Sequence, residues 1–216
     1  MKPGLGRIIA AGFKRPALVV GLCLEIVVLI SPAIYLYGKE APTDIAMMSM
    51  FLGPLYLMMN SVLKDIQNHL QMRIRFVRLQ RILMINMISG VLAGILAINA
   101  TSVYLIRFIL AGYTVSWQEY LGYFIFEFSY LFLVGTIHNF SCELCGTRLP
   151  AFGFTLFLII GEYVSASFPN LYRFIFAYQA VYSALKQGDL TVYLFFFLFS
   201  ELLLILSTFV SREVIK

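Results

Sequence analysis

The chain has 216 residues, of which 61% are hydrophobic and 12% charged, with a net charge of +5 and a mean hydropathy of +0.87. Soluble domains average about 45–50% apolar and about 25% charged residues, so a water-soluble globule is excluded. The positive charge clusters beside the ends of apolar runs, which fits cytoplasmic loops of a membrane protein rather than nucleic-acid binding.

At about 20 apolar residues per crossing, the length admits several spans and little else, so residues 1–216 read as a single transmembrane domain. The first fifteen residues carry Leu5, Ile8, Ile9 and Phe13 at helical spacing, with Lys2, Arg7, Lys14 and Arg15 around them. That pattern predicts an interfacial helix over 1–15 with its basic groups toward anionic lipid. No small-residue cleavage pattern follows it, which argues against a removed signal segment. Pro16 suits the first turn of the next helix.

The first span is expected over Ala17–Tyr37 and holds Glu25. The second, over Ile45–Leu63, is rich in methionine and contains Gly53-Pro54. The third covers Ile82–Ile106 with no charge and includes Gly90-x-x-x-Gly94, a spacing that allows close helix approach. The fourth covers Tyr120–Phe140 with Glu127, and Cys142–Arg148 is expected as a tight loop. The fifth runs from Pro150 to Phe168 and carries Glu162; the sixth, Thr191–Val210, carries Glu201. Between these two, residues 168–190 are apolar and aromatic but broken by Pro169, Arg173, Lys186 and Gly188-Asp189. A re-entrant helical hairpin on the extracytoplasmic side fits that stretch. The predicted class is therefore an all-α polytopic membrane protein with six spans. With six crossings, twelve of the sixteen Lys and Arg residues fall on one side, placing both termini in the cytoplasm of a multi-pass protein in the cell membrane.

The segment 64–81 holds five of those basic residues. Ile66, Leu70, Ile74 and Val77 fall within an arc of about 80° on a helix, opposite Lys64, Asn68, Gln71, Arg75 and Arg78. Met72, Phe76 and Leu79 form a second apolar strip. Such a helix suits either attachment to anionic headgroups or docking of a cytoplasmic protein.

The interfacial helix, six spans, cytoplasmic helix between spans two and three, and hairpin between spans five and six together resemble the type-2 family of ATP-binding-cassette permeases. The resemblance is architectural and covers nearly the whole chain, although Asp65 is the only acidic residue of the cytoplasmic segment. It implies an exporter subunit that pairs with a second permease subunit, identical or different, in membrane lipid. It also implies docking on a separate ATPase through Lys64, His69, Arg73, Arg75, Phe76 and Arg78. The chain has no Gly-x-x-x-x-Gly-Lys-Ser/Thr, so it is not expected to bind and hydrolyse ATP through a P-loop by itself; the resemblance implies that this chain holds no cofactor and that ATP and magnesium bind to the partner ATPase. An amphipathic cargo is expected: a peptide, a lipid-linked molecule or a drug.

Intramembrane carboxyls are costly and usually face a cavity, a partner or the bundle interior. Glu25, Glu127 and Glu201 are therefore candidates for a substrate path, against a purely structural role as hydrogen-bonded acids. Tyr172 and Tyr178, among the aromatics of the hairpin, are candidates for its outer gate or simple interfacial anchors. His138 and Cys142 lie four apart on a helix and support a rival reading as an intramembrane cysteine peptidase. Cys142-x-x-Cys145 lacks a second ligand pair, so no metal site is expected. A substrate-capture subunit for vitamin uptake is a further alternative.

Overall fold

A computed structural model describes residues 16–30, 52–63, 78–110, 114, 116–166 and 191–210. Six helices make up these segments: α1 (Pro16–Ile30), α2 (Leu52–Leu63), α3 (Arg78–Leu110), α4 (Trp117–Cys145), α5 (Arg148–Ala166) and α6 (Thr191–Val210). No strand occurs among the described residues. The expected interfacial helix over 1–15, most of the basic segment (64–77) and the hairpin over 168–190 lie outside them.

Two helices are long and apolar enough to cross a membrane, over Ile82–Ile106 in α3 and Tyr120–Cys145 in α4. At a rise of about 1.5 Å per residue each exceeds the roughly 30 Å hydrocarbon layer. The α3 helix extends beyond its apolar stretch at both ends, so Arg78 and Arg81 are continuous with it.

The expected loop over Cys142–Arg148 is shorter than its sequence suggested. Ser141–Cys145 stay helical, and only Gly146 and Thr147 separate α4 from α5. Gly146 ends α4 with φ at +67°, and its N–H donates to the Cys142 carbonyl at 3.1 Å. This left-handed cap satisfies an orphan carbonyl of the last turn, and glycine adopts it without a Cβ penalty. At the other end, the Ser116 carbonyl accepts the Tyr120 N–H at 3.1 Å, closing the first turn of α4.

The α3 and α4 helices run antiparallel. Asn86 meets Asn139 near one end, and Tyr104 meets Glu127 towards the other. Between them Gly90 and Gly94 face Phe132 and Phe128, whose rings stack on one another at 5.8 Å. The Gly-x-x-x-Gly pair thus forms a shallow groove for aromatic rings. The α2 helix runs parallel to α4: Gly53 abuts Tyr130, Tyr56 abuts Gly135, and Asn60 bonds Asn139.

These three helices form the core. Leu52, Tyr56, Leu57 and Leu63 of α2 pack with Leu92, Leu96 and Ala100 of α3 and with Phe126, Leu131 and Val134 of α4. The other helices reach it along narrow stripes. The α1 helix buries Leu18, Gly21 and Glu25; α5 buries Ala151, Thr155 and Ile159; and α6 buries Ser200, Leu203 and Ser207. Small residues there let the helices approach closely. Thr155 and Ser207 return their hydroxyl protons to the carbonyls of Ala151 and Leu203 at 2.9 and 2.8 Å, so neither demands a partner on another helix.

Glycine makes room for bulky side chains where α2 meets α1 and α4. A Cβ at Gly21 would lie 2.7 Å from the Met59 sulfur, and one at Gly53 2.9 Å from the Tyr130 hydroxyl. A Cβ at Gly135 would overlap the Tyr56 hydroxyl. Gly135→Ala should therefore destabilise the purified protein by about 1–3 kcal/mol, the usual cost of overpacking. Adding Tyr56→Phe should recover part of that loss in thermal unfolding, and strictly additive effects of the two changes would contradict this packing.

Candidate functional site

A chain of carboxamides and hydroxyls joins the three core helices. Ser89 Oγ donates to Asn60 Oδ1 at 2.6 Å, and Asn60 Nδ2 donates to Asn139 Oδ1 at 3.3 Å. Asn139 Nδ2 in turn donates to Ser89 Oγ at 3.0 Å and to Asn86 Oδ1 at 3.2 Å. Asn86 Nδ2 ends the chain on the Ile82 carbonyl at 3.0 Å, while the Tyr56 hydroxyl donates to the Ser89 carbonyl at 3.1 Å. All of these residues are buried. Each amide supplies both donors and acceptors, so the cluster closes on itself without any charge.

Two carboxyls lie further along α3. Asn99 Nδ2 donates to Glu25 Oε2 at 3.1 Å, and the Tyr104 hydroxyl donates to Glu127 Oε1 at 3.1 Å. Both glutamates are fully buried. Counted from Gly94, the middle of the apolar stretch of α3, Ser89 and Asn86 lie about 8 and 12 Å towards one end. Asn99 and Tyr104 lie about 8 and 15 Å towards the other. The bundle thus has a neutral polar layer in one half and two separate acidic positions in the other. Among the described residues, Glu25 Oε1 has no hydrogen-bond partner, a costly state for a buried acceptor.

Glu25 and Glu127, both expected from the sequence, are therefore buried and held by the same helix. Their α3 partners are five residues apart and point to different faces, so the two carboxyls do not share one site. Glu201 differs, being exposed on α6. Lys64, His69, Arg73, Arg75, Phe76, Tyr172 and Tyr178 lie outside the described residues, and Arg78 is the first residue of α3. His138 and Cys142 do meet: Nε2 and Sγ are 3.7 Å apart, both side chains buried. The Phe152 ring of α5 stands edge-on to the imidazole at 6.4 Å. No group of three or more metal-ligating side chains occurs among the described residues.

Sequence reasoning weighed charges and overlooked neutral polar groups. Asn60, Asn86, Ser89, Asn99 and Asn139 stand in apolar surroundings, and the Asn86/Ser89 spacing of three puts both on one helix face. That signal was available, although their partners were not. Asn139→Leu should cost about 1–3 kcal/mol, because it leaves Asn60 Nδ2 and Asn86 Oδ1 without the partner that Asn139 gives each of them. The Asn60→Leu/Asn139→Leu double variant should lose less than the sum, read by unfolding in detergent or bilayer. Simple additivity would show that these amides act independently.

Comparison with protein-family models, with curated proteins and with solved structures finds no match for this chain.

Proposed function

We propose that this chain is the permease subunit of an ATP-binding-cassette exporter, a multi-pass protein of the cell membrane working beside a second permease subunit and a separate cytoplasmic ATPase. The observation that carries the transport reading is the burial of Glu25 and Glu127 within apolar helices, each held by a neutral group of α3. Ionisable side chains at membrane depth are expensive and commonly mark substrate or ion pathways. The parallel run of α2 and α4 against α3 supports alternate crossings, and twelve basic residues against four favour cytoplasmic termini in a six-span arrangement. The hairpin over 168–190 belongs to the same reading, with Tyr172 and Tyr178 at its outer gate.

The route from ATP to the spans follows from the continuity of α3. Its first residue, Arg78, is also the last of the expected ATPase contacts, and the same helix carries Asn86, Ser89, Asn99 and Tyr104. A push on residues 64–81 would tilt a rigid rod that bonds three other helices. The ATPase drives this only if its ATP-bound form prefers one of the two positions. Glu25, Glu127 and Glu201 are the candidate contacts for an amphipathic cargo along the path.

In Glu127→Gln the acceptor for the Tyr104 hydroxyl survives while the ionisable group is lost. Transport should fall at least about tenfold with thermal stability unchanged, as expected of a pathway carboxyl. Transport equal to wild type would make Glu127 structural. Arg75→Glu with Arg78→Glu should uncouple ATP hydrolysis from transport, and the chain should co-purify with an ATPase encoded beside it. Unchanged coupling, or no such ATPase, would contradict the permease reading.

The close approach of His138 and Cys142 favours one rival, an intramembrane cysteine peptidase in which imidazole activates the thiol. That reading requires Cys142→Ala and His138→Ala each to abolish peptide cleavage in a folded protein. Full transport by the double variant would eliminate it.

A further inference from the structure

Glu25 is held through one of its two oxygens. Its Oε2 accepts from Asn99 Nδ2 at 3.1 Å, while the buried Oε1 has no hydrogen-bond partner among the described residues. Neither charge state of the group is complete by itself. An ionised Oε1 requires a donor or a cation, and a protonated one requires an acceptor. The apolar stretches bring no counter-charge to this depth, since no Lys or Arg falls within 17–38, 45–63, 82–106, 120–145, 150–168 or 191–210. His138 stands next to Asn139, which bonds Asn86, about 20 Å along α3 from Asn99.

The surroundings narrow what completes the carboxyl. One turn from Glu25 on α1 stand Leu22 and Leu29, and one turn from Asn99 on α3 stand Ile95, Leu96 and Val103. Ser102, on the same side of α3, donates its hydroxyl proton to the Ile98 carbonyl of its own helix. Hard metal cations take about six or more oxygen ligands, and no group of three or more His, Cys, Asp or Glu side chains occurs among the described residues. A protonated amine needs less: a carboxylate oxygen for its N–H, and apolar walls for the body that carries it. The α1 helix touches the bundle along a narrow stripe, and on α3 Asn99 is partly exposed and Ile98 exposed. The seam between α1 and α3 therefore opens outward beside the carboxyl.

We propose that Glu25, oriented by Asn99, binds the protonated amine of an amphipathic cargo whose apolar body lies in the seam between α1 and α3. The assignment rests on the reading of Glu25 as a pathway carboxyl in a membrane-spanning bundle, and it narrows the cargo to an organic cation.

The test uses the full chain in nanodiscs of phosphatidylcholine and the probe dodecylamine, tritiated and protonated at neutral pH, with dodecanol as its uncharged counterpart. Binding is read above that of empty discs. Wild type should hold the amine and not the alcohol. Glu25→Gln keeps an acceptor for Asn99 but loses the charge, and should weaken amine binding at least about tenfold, as when one partner of a buried charge pair is removed. Glu25→Asp should retain most of the binding, which separates loss of charge from loss of fold. Excess sodium chloride should leave the bound fraction unchanged, because a buried pair is little screened. Equal retention of amine and alcohol by wild type, indifference to Glu25→Gln, or displacement by sodium, which would mark an inorganic cation site, would each overturn the proposal. Binding is read without ATP or an ATPase, so its failure leaves the permease reading to the coupling test above. A chain that holds the amine through Glu25 but has no coupled ATPase defeats that reading alone.

Discussion

Polar side chains among apolar helices must find their partners within the protein, and in this chain that requirement sets the positions of α2, α3 and α4. Asn60, Asn86, Ser89 and Asn139 meet in one closed cluster. Sliding any of the three helices by a single turn, about 5.4 Å, would break at least half of these bonds at once. Dispersion between Leu, Ile and Phe side chains has no such preference for one axial position. The cluster therefore contributes specificity beyond its modest energy, since interhelical hydrogen bonds in bilayers average only about 0.6 kcal/mol. The glycines complete the arrangement: Gly53 and Gly135 accept Tyr130 and Tyr56 across the same interface, in opposite directions.

With that register set, the roles of the remaining polar groups follow from their place along α3. One end of the helix bonds the neutral cluster, and the other end holds Glu127 through Tyr104 and Glu25 through Asn99. Movement of α3 thus reaches α1, α2 and α4 together, which in the proposed reading makes it the link between an ATPase acting near Arg78 and the buried carboxyls. The outer helices pack on this core along stripes that mix small and large residues, α6 most closely of them and on α4. Apart from Glu201 on α6, their opposite faces are apolar: Val19, Val20 and Val27 on α1, Phe154 and Phe157 on α5, and Leu198 and Leu202 on α6.

How far the sequence alone reached depended on which signal each feature carries. The apolar stretch Ile82–Ile106 and the helix Thr191–Val210 were legible to the residue, because charged or turn-forming residues bound them on both sides. The end of α4 was not: Ser141, Cys142 and Glu143 look like a loop, yet the helix continues until Gly146 supplies the left-handed cap. Burial of Glu25 and exposure of Glu201 were indistinguishable in sequence, since both stand among leucines, isoleucines, valines and phenylalanines. Only the neighbouring helix separates them. The asparagine cluster was half legible. Its members stand out in apolar runs, but which of them meet depends on contacts between residues 29 to 79 positions apart.

In the proposed reading α3 and α4 cross a membrane in opposite directions, bridged by the buried polar cluster. Thr114, before α4, and Thr147, after it, are both exposed, so single cysteines at these positions report the two ends of that helix directly. In sealed cells carrying the chain with its native cysteines replaced, Thr114→Cys should react with an impermeant maleimide from outside. Thr147→Cys should react only after the membrane is opened. Labelling of both from the same side would place the two ends of α4 in one compartment and contradict the account.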